Sequence, residues 1–245
     1  MYFLTTFFIF HFSLLIIYRI FALEMIEKTR GIVLHTLRYS DTKVIATLFT
    51  ESRGAVSFAV RIPHSRHSTM QNVLLAPLTM LEVDIDYQDS ARLQRMVDIH
   101  IDEPYRTLPY HPLKQTIALF LSEFLYYALR EEQDNPELYS YLVNSLMWLD
   151  ARDEGFANFP LTFLIRLSRF LGIWPNTEEA QAGLPDGERE LVPVMLRMDY
   201  ATMHLFQFTR EQRARLLQVL NDYYRSHLPH FPELRSMAIL REVLS

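Results

Sequence analysis

The chain contains no cysteine, and this absence excludes disulfides, thiolate metal ligands and cysteine nucleophiles together. Glycine is scarce, at six residues among 245, and the glycines form no loop of the kind that cradles phosphates in nucleotide-binding enzymes. Lysine is rarer still, so arginine supplies most of the 24 basic residues and offers a planar fork of donors to phosphate or carboxylate. We therefore expect a non-enzymatic protein without a cofactor or a bound metal.

Acidic residues are absent between Glu51 and Glu82, although the chain as a whole carries a net charge of −5. Local positive charge in an acidic protein predicts a confined site for a polyanion. The alternative is that this segment only solvates an exposed loop, as charged runs usually do. Its basic and histidine residues are Arg53, Arg61, His64, Arg66 and His67.

The first 24 residues differ from the rest because they are almost wholly apolar and aromatic. Such a stretch is long enough to cross a membrane, but it lacks the basic start and the cleavage site of a signal peptide. From Met25 the sequence MIEKTRGIVL leads into the first predicted strand without a polar spacer. We interpret residues 1–24 as a leader outside the fold, and a membrane anchor is the alternative.

Five short segments with strand-like alternation follow within roughly 80 residues. They are Gly31–Leu37, Lys43–Phe49, Val56–Ile62, Leu81–Asp86 and Val97–Ile101. Five such strands predict a small barrel, because closure removes exposed edges, and the OB-fold is the natural candidate.

Alternation assigns the two faces of these strands. Four residues of the third strand are predicted in the barrel core: Val56, Phe58, Val60 and Ile62. In the last two strands the apolar residues Leu81, Val83, Ile85, Val97, Ile99 and Ile101 alternate with polar ones. Glu82, Asp84, Asp86 and Asp98 are predicted on the outer face. Since these carboxylates repel phosphate, a polyanion is expected to bind away from the last two strands.

The pattern becomes helical after Tyr105. Helices are predicted behind Pro112, after the cap Asn135, from Asn158, from Thr209 with Gln212 as a capping box, and over Pro232–Leu244. The stretch 174–193 is interpreted as an irregular excursion. The fold class is therefore α+β, with a barrel domain at 25–104 and an α-helical domain at 105–245.

Several strings, taken in order and spacing, resemble the RecO family of bacterial recombination mediators. They are GIVL at 31–34, YSD at 39–41, TLFT at 47–50 with Gly54, LAPLT at 75–79, LEV at 81–83, EPY at 103–105 and LTFLIRLSRFLGIWPN at 161–176. The resemblance implies an OB-fold, a helical domain and a cytoplasmic role in DNA repair and recombination. It also implies binding and annealing of single- and double-stranded DNA. The implied partners are RecR, in some bacteria RecF, and single-stranded DNA-binding protein, which the mediator replaces with RecA.

The chain departs from the resemblance in one respect. Many members of the family carry four cysteines as a zinc module in the second half, and this chain has none. No histidine lies between His111 and His204 to rebuild a four-ligand site there. The 174–193 excursion is expected either to hold its shape by packing or to be mobile.

Two binding sites are predicted. DNA is assigned to Lys43, Arg53, Arg61, His64, Arg66 and His67, through phosphate contacts beside the barrel. Arg166 and Arg169, near Phe163, Phe170 and Trp174, are assigned to an acidic, hydrophobic peptide, and the resemblance points to the C-terminal tail of single-stranded DNA-binding protein. The alternative for this pair is local capping or pairing. The alternative for the whole protein is a membrane-tethered helical adaptor that uses the barrel for protein contacts.

Overall fold

The computed structural model describes residues 26–61, 73–181 and 184–243. Five strands form a closed barrel in the order β1-β2-β3-β5-β4. Their bounds are β1 Ile26–Ser40, β2 Lys43–Thr50, β3 Gly54–Arg61, β4 Met80–Asp86 and β5 Gln94–Ile101. The predicted α+β fold with a five-stranded barrel is confirmed. The predicted leader, residues 1–24, lies outside the described residues.

Strand β1 is longer than predicted because it pairs along two different lengths. Ile26 to Ile32 pair with β4, and Gly31 to Ser40 pair with β2, both antiparallel. Residues Glu27–Arg30 are all polar, so alternation of apolar and polar residues does not predict the first part of β1. Pairing with a distant strand therefore decides the extent of β1.

The barrel interior contains the predicted alternating residues of β3 and β4. Val56, Phe58 and Val60 pack there with Leu81, Val83 and Ile85. Ile62 lies outside the described residues.

The simple alternation predicted for β5 does not hold: Val97 and Ile101 are 45% and 44% exposed, while Ile99 and Met96 pack against the interior. Asp84 pairs with Asp98 and Ile85 pairs with Met96, so Val97 is an extra residue at a β-bulge.

Seven α-helices follow the barrel in the part of the chain that the structure describes. They are α1 Pro112–Ala128, α2 Pro136–Ala151, α3 Phe159–Phe170, α4 Thr177–Gln181, α5 Leu191–Arg197, α6 Arg210–His227 and α7 Arg235–Val243. Two predicted caps are confirmed. The Asn135 side chain accepts from Leu138 N at 3.0 Å, and Thr209 and Gln212 form a reciprocal capping box.

The described residues of the 174–193 stretch form short regular elements, which corrects the prediction of an irregular excursion. They include α4, a 3₁₀ turn at Asp186–Glu188 and the start of α5. Leu184, Val192 and Met195 are buried in the helical core. Of the two alternatives, packing or mobility, apolar packing accounts for these described residues. The short elements have no clear signal in the sequence because each is under eight residues long.

The barrel and the helices share one hydrophobic core. Ile32, Leu34, Phe49, Leu78 and Met80 belong to the cluster that α1, α2, α3 and α6 complete. This sharing explains why Phe49, a strand residue, faces away from the barrel interior.

Among the described residues, hydrogen bonds join two strands of the barrel to the helical part. Ser122 Oγ on α1 donates to the Leu34 carbonyl at 2.6 Å, and Ala55 N donates to the Glu132 carbonyl at 3.2 Å. Strands β1 and β3 are therefore each fixed to the helical part.

Asp150, at the end of α2, anchors the connection between barrel and helices. Its carboxylate accepts from the backbone N–H groups of Arg106, Thr107 and Leu108 at 2.8, 2.9 and 2.7 Å. The buried Lys114 donates to Thr107 Oγ1 at 2.6 Å and to the Asp150 carbonyl at 3.0 Å. The chain leaving β5 is thus held by charge-assisted hydrogen bonds.

Candidate nucleic-acid interface

Lys43 and Arg61, two of the predicted DNA-binding residues, are brought together by the β2–β3 hairpin. They are directly opposed Cα partners on the antiparallel strands, and both are exposed. Opposed side chains lie on one face of a sheet with Cβ atoms about 5 Å apart, so the two positive charges are adjacent. Neither forms an ion pair with another described residue. An anion bound between them would relieve their repulsion.

Arg38 belongs to the same end of the sheet and was missed by sequence reasoning. It is the register partner of Val44, next to Lys43, and it is exposed, so it shares the end of the hairpin with Lys43 and Arg61 but starts from the other face of the sheet. The predicted strand stops at Leu37 and the predicted turn begins at Tyr39, so Arg38 belongs to neither prediction. A predicted strand that continued to the turn would include Arg38. We use the name basic end for Arg38, Lys43 and Arg61.

The opposite outer face of the barrel is acidic, as predicted. Glu82 and Asp84 are partly exposed on β4, and Asp84 lies opposite the exposed Asp98 of β5. Hydrogen bonds from the Ile99 N–H and then from His100 lower the pKa of Asp98, so it stays ionised at neutral pH. Of this group, Glu82 is paired with Lys28 at 2.6 Å. Phosphate is repelled from this side.

Asp86 follows Glu82 and Asp84 in the alternation of β4, but unlike them it is buried. Its exposure is only 8%, and it lies where Ile26 and Arg95 pair with it from the two neighbouring strands.

Arg53 lies at the other end of β2 and β3 from the basic end. Strands of eight residues separate the two sites, which is about 25 Å. The Arg53 Nη2 lies 2.8 Å from a Glu27 carboxylate oxygen, and its guanidinium covers the Tyr87 ring at 4.3 Å. The hydrogen bond from Arg53 lowers the pKa of Glu27 despite the opposing effect of burial. The structure therefore does not bring Arg53 to Lys43 and Arg61.

Three further predicted DNA-binding residues, His64, Arg66 and His67, lie outside the described residues. Their segment begins directly after β3, whose last residue is Arg61.

The predicted peptide-binding arginines on α3 differ in their surroundings. Arg166 donates from Nη2 to the Met198 carbonyl at 2.9 Å and so caps the end of α5. Arg169 is exposed, and its guanidinium lies 3.9 Å from the centre of the Trp174 ring. Local capping thus accounts for Arg166, while Arg169 and Trp174 present a cation over an aromatic face at the surface.

The described residues contain no group of three or more histidine, aspartate or glutamate side chains placed to hold a metal ion. Within the same ranges, no helix combines the length and the apolar character that crossing a membrane requires.

Comparisons with known proteins find similarity to one family along nearly the whole chain. The family model described as "Recombination protein O N terminal" matches residues 25–105, and "Recombination protein O C terminal" matches 110–179 and 175–237. "DNA repair protein RecO" of Phocaeicola vulgatus is 45% identical over 90% of this chain and 100% of its own length. The protein of the same name from Bacteroides fragilis is 44% identical over 89% of this chain and 99% of its own. That from Flavobacterium psychrophilum is 30% identical over 89% and 99%.

Proposed function

Because the chain belongs to the recombination protein O (RecO) family, we propose that it is a DNA repair and recombination mediator that binds DNA at the basic end of its barrel. It anneals strands and helps load RecA onto single strands covered by single-stranded DNA-binding protein. The observation that carries the assignment of the site is the opposed pair Lys43 and Arg61 beside Arg38, on a barrel whose other outer face is acidic.

The charge distribution supports phosphate binding at one place. A net charge of −5 disfavours contact with DNA over the whole surface. The three cations of the basic end have no ion-pair partner among the described residues. Arg53 is neutralised by Glu27, so it contributes less than the other cations.

We further propose a division of labour between two units. Residues 25–104 bind DNA, residues 105–245 bind protein partners, and residues 1–24 belong to neither. Arg169 with Trp174 is the proposed contact for the acidic, hydrophobic tail of single-stranded DNA-binding protein, since a carboxylate can pair with the guanidinium beside an aromatic surface. RecR and RecF are the other proposed partners, and the proposed compartment is the cytoplasm.

A salt titration of single-stranded DNA binding tests the DNA site. Each phosphate contact on a single strand contributes about −0.7 to the slope of log K against log salt concentration. The variant Arg38→Ala/Lys43→Ala/Arg61→Ala is therefore expected to bind more weakly and to have a slope shallower by about 2. Fluorescence anisotropy of a labelled oligonucleotide at four salt concentrations measures both quantities.

A matched control removes the same number of positive charges from the helical part, away from the barrel. Arg130, Arg210 and Arg241 are exposed residues of the helical part, and replacing all three by alanine removes the same charge. This control is expected to bind DNA nearly as the parent does. An equal loss in both variants would show that only net charge matters and would refute the assignment of the site.

A further inference from the structure

The β1–β2 hairpin projects an uncovered aromatic side chain next to the basic end. All residues from His35 to Ser40 are exposed, and the Tyr39 side chain is 71% exposed. Tyr39 lies at a register shift between Arg38 and Ser40, so it is the extra residue opposite Lys43. A bulge of this kind redirects a side chain without ending the strand pairing.

The ring of Tyr39 differs from other aromatic rings near the surface. Arginine guanidinium groups lie over Tyr87, Trp148 and Trp174, at 4.3, 4.9 and 3.9 Å from the ring centres. Tyr39 has no ring, cation–π or hydrogen-bond contact with any other described residue. Nearby Leu37, at 53% exposure, adds apolar surface to the same hairpin. An exposed apolar surface beside unpaired cations is suited to a ligand that has both flat rings and negative charges.

We propose that Tyr39 stacks on a base and makes the basic end selective for single-stranded over double-stranded DNA. The inference rests on the proposed function, since the cations of the basic end must hold the phosphates that present the base. A single strand offers free base faces, and stacking on an aromatic side chain is tolerant of sequence. In a duplex the bases are already stacked and paired, so reaching them would require unstacking. Tyr39 therefore adds affinity only for the single strand.

Binding of a single-stranded oligonucleotide and a duplex of the same length by the full-length protein tests this role. Tyr39→Ala is expected to bind the single strand about 5- to 150-fold more weakly, the effect of losing one stacked base, and to bind the duplex unchanged. The slope with salt stays as in the parent, because no phosphate contact is removed. Tyr39→Phe keeps the ring and is expected to retain full affinity. Tyr110→Ala removes an equally exposed tyrosine, at 80% exposure, from the segment between β5 and α1 and serves as the matched control.

An abasic oligonucleotide isolates the base from the backbone. The parent protein is expected to bind it more weakly than the normal strand, by the same factor that Tyr39→Ala loses, and Tyr39→Ala is expected not to distinguish the two strands. Equal losses on single strand and duplex, or a Tyr39→Ala variant that still distinguishes the abasic strand as the parent does, would overturn the inference. Salt-dependent binding that Tyr39→Ala does not weaken would refute base stacking by Tyr39 but not the proposed DNA site. A parent protein that binds neither DNA form refutes the proposed function as well. Circular dichroism of each variant verifies that it is folded.

Discussion

Gly54 occupies a turn in which both the backbone conformation and the available space require glycine. Its φ is +67°, and a Cβ placed there would lie 2.3 Å from the Glu132 carbonyl oxygen, which belongs to the helical part. Gly172 has a similar φ of +70° but has nothing within 4 Å of such a Cβ. Substitution at Gly172 therefore costs only the strain of a left-handed backbone, whereas substitution at Gly54 also costs a steric clash.

Alanine at these two glycines is expected to give different losses of stability. Gly172→Ala lowers the free energy of unfolding by about 1–2 kcal/mol, the cost of the left-handed conformation alone. Gly54→Ala is expected to cost at least about 2 kcal/mol more, because backbone atoms of β3 and the helical part must separate. Urea denaturation measures both, with Gly187→Ala, which has open space, as the neutral control. Similar losses at Gly54 and Gly172 would contradict a tight approach of the barrel to the helices.

At the scale of elements, Asp150 connects α2 to the chain that leaves the barrel. It is 2% exposed, and burial raises its pKa, but hydrogen bonds from the backbone N–H groups of Arg106, Leu108 and Thr107 lower it further, so that the pKa lies below its usual range. Since the folded pKa is below the unfolded value of about 3.9, the carboxylate stabilises the fold fully above that pH. This stabilisation is lost as the pH falls through the folded pKa.

Asp150→Asn is therefore expected to lower the free energy of unfolding by about 2–4 kcal/mol at pH 7, because an amide replaces an ionised acceptor of three backbone hydrogen bonds. The difference between the parent and Asp150→Asn is expected to shrink below pH 4. Chemical denaturation at pH 7 and pH 3 measures it. Asp186→Asn, at a 90% exposed carboxylate, is the control, and a constant difference across pH at position 150 would contradict the linkage.

Local signals in the sequence predict several elements well, and contacts between distant residues account for the rest. Asn135, Thr209 and Pro112 start helices because a cap or a first-turn proline acts within a few residues. The turn at Gly54 sets the β2–β3 register, so the Lys43–Arg61 pair is also accessible from sequence. The pairing of Arg53 with Glu27, 26 residues away, has no local signal.

At the scale of the whole molecule, the shared core makes the barrel depend on the helices. Removing residues 105–245 would expose Ile32, Leu34, Phe49, Leu78 and Met80, which are fully or almost fully buried in the intact chain. Fully burying one such side chain contributes about 1.5–3 kcal/mol, so the loss for all five is comparable to the whole stability of a typical domain, about 5–15 kcal/mol.

The isolated fragment 25–104 is expected not to unfold cooperatively, whereas the full chain unfolds in one transition seen equally by tryptophan fluorescence and circular dichroism. Both tryptophans, Trp148 and Trp174, report on the helical part, so coincidence of the two signals tests coupling to the barrel. A barrel fragment with its own sharp transition, or two separate transitions in the full chain, would show that the units fold independently.

The separation of the acidic face from the basic end gives the barrel an electric dipole. Glu82, Asp84 and Asp98 lie on β4 and β5, while Arg38, Lys43 and Arg61 lie where β1, β2 and β3 meet. Near a long polyanion, a torque turns the molecule until its cations lead, before any atom touches. Productive encounters therefore become more frequent although the protein and its ligand carry net charge of the same sign, and this advantage fades as salt shortens the screening length.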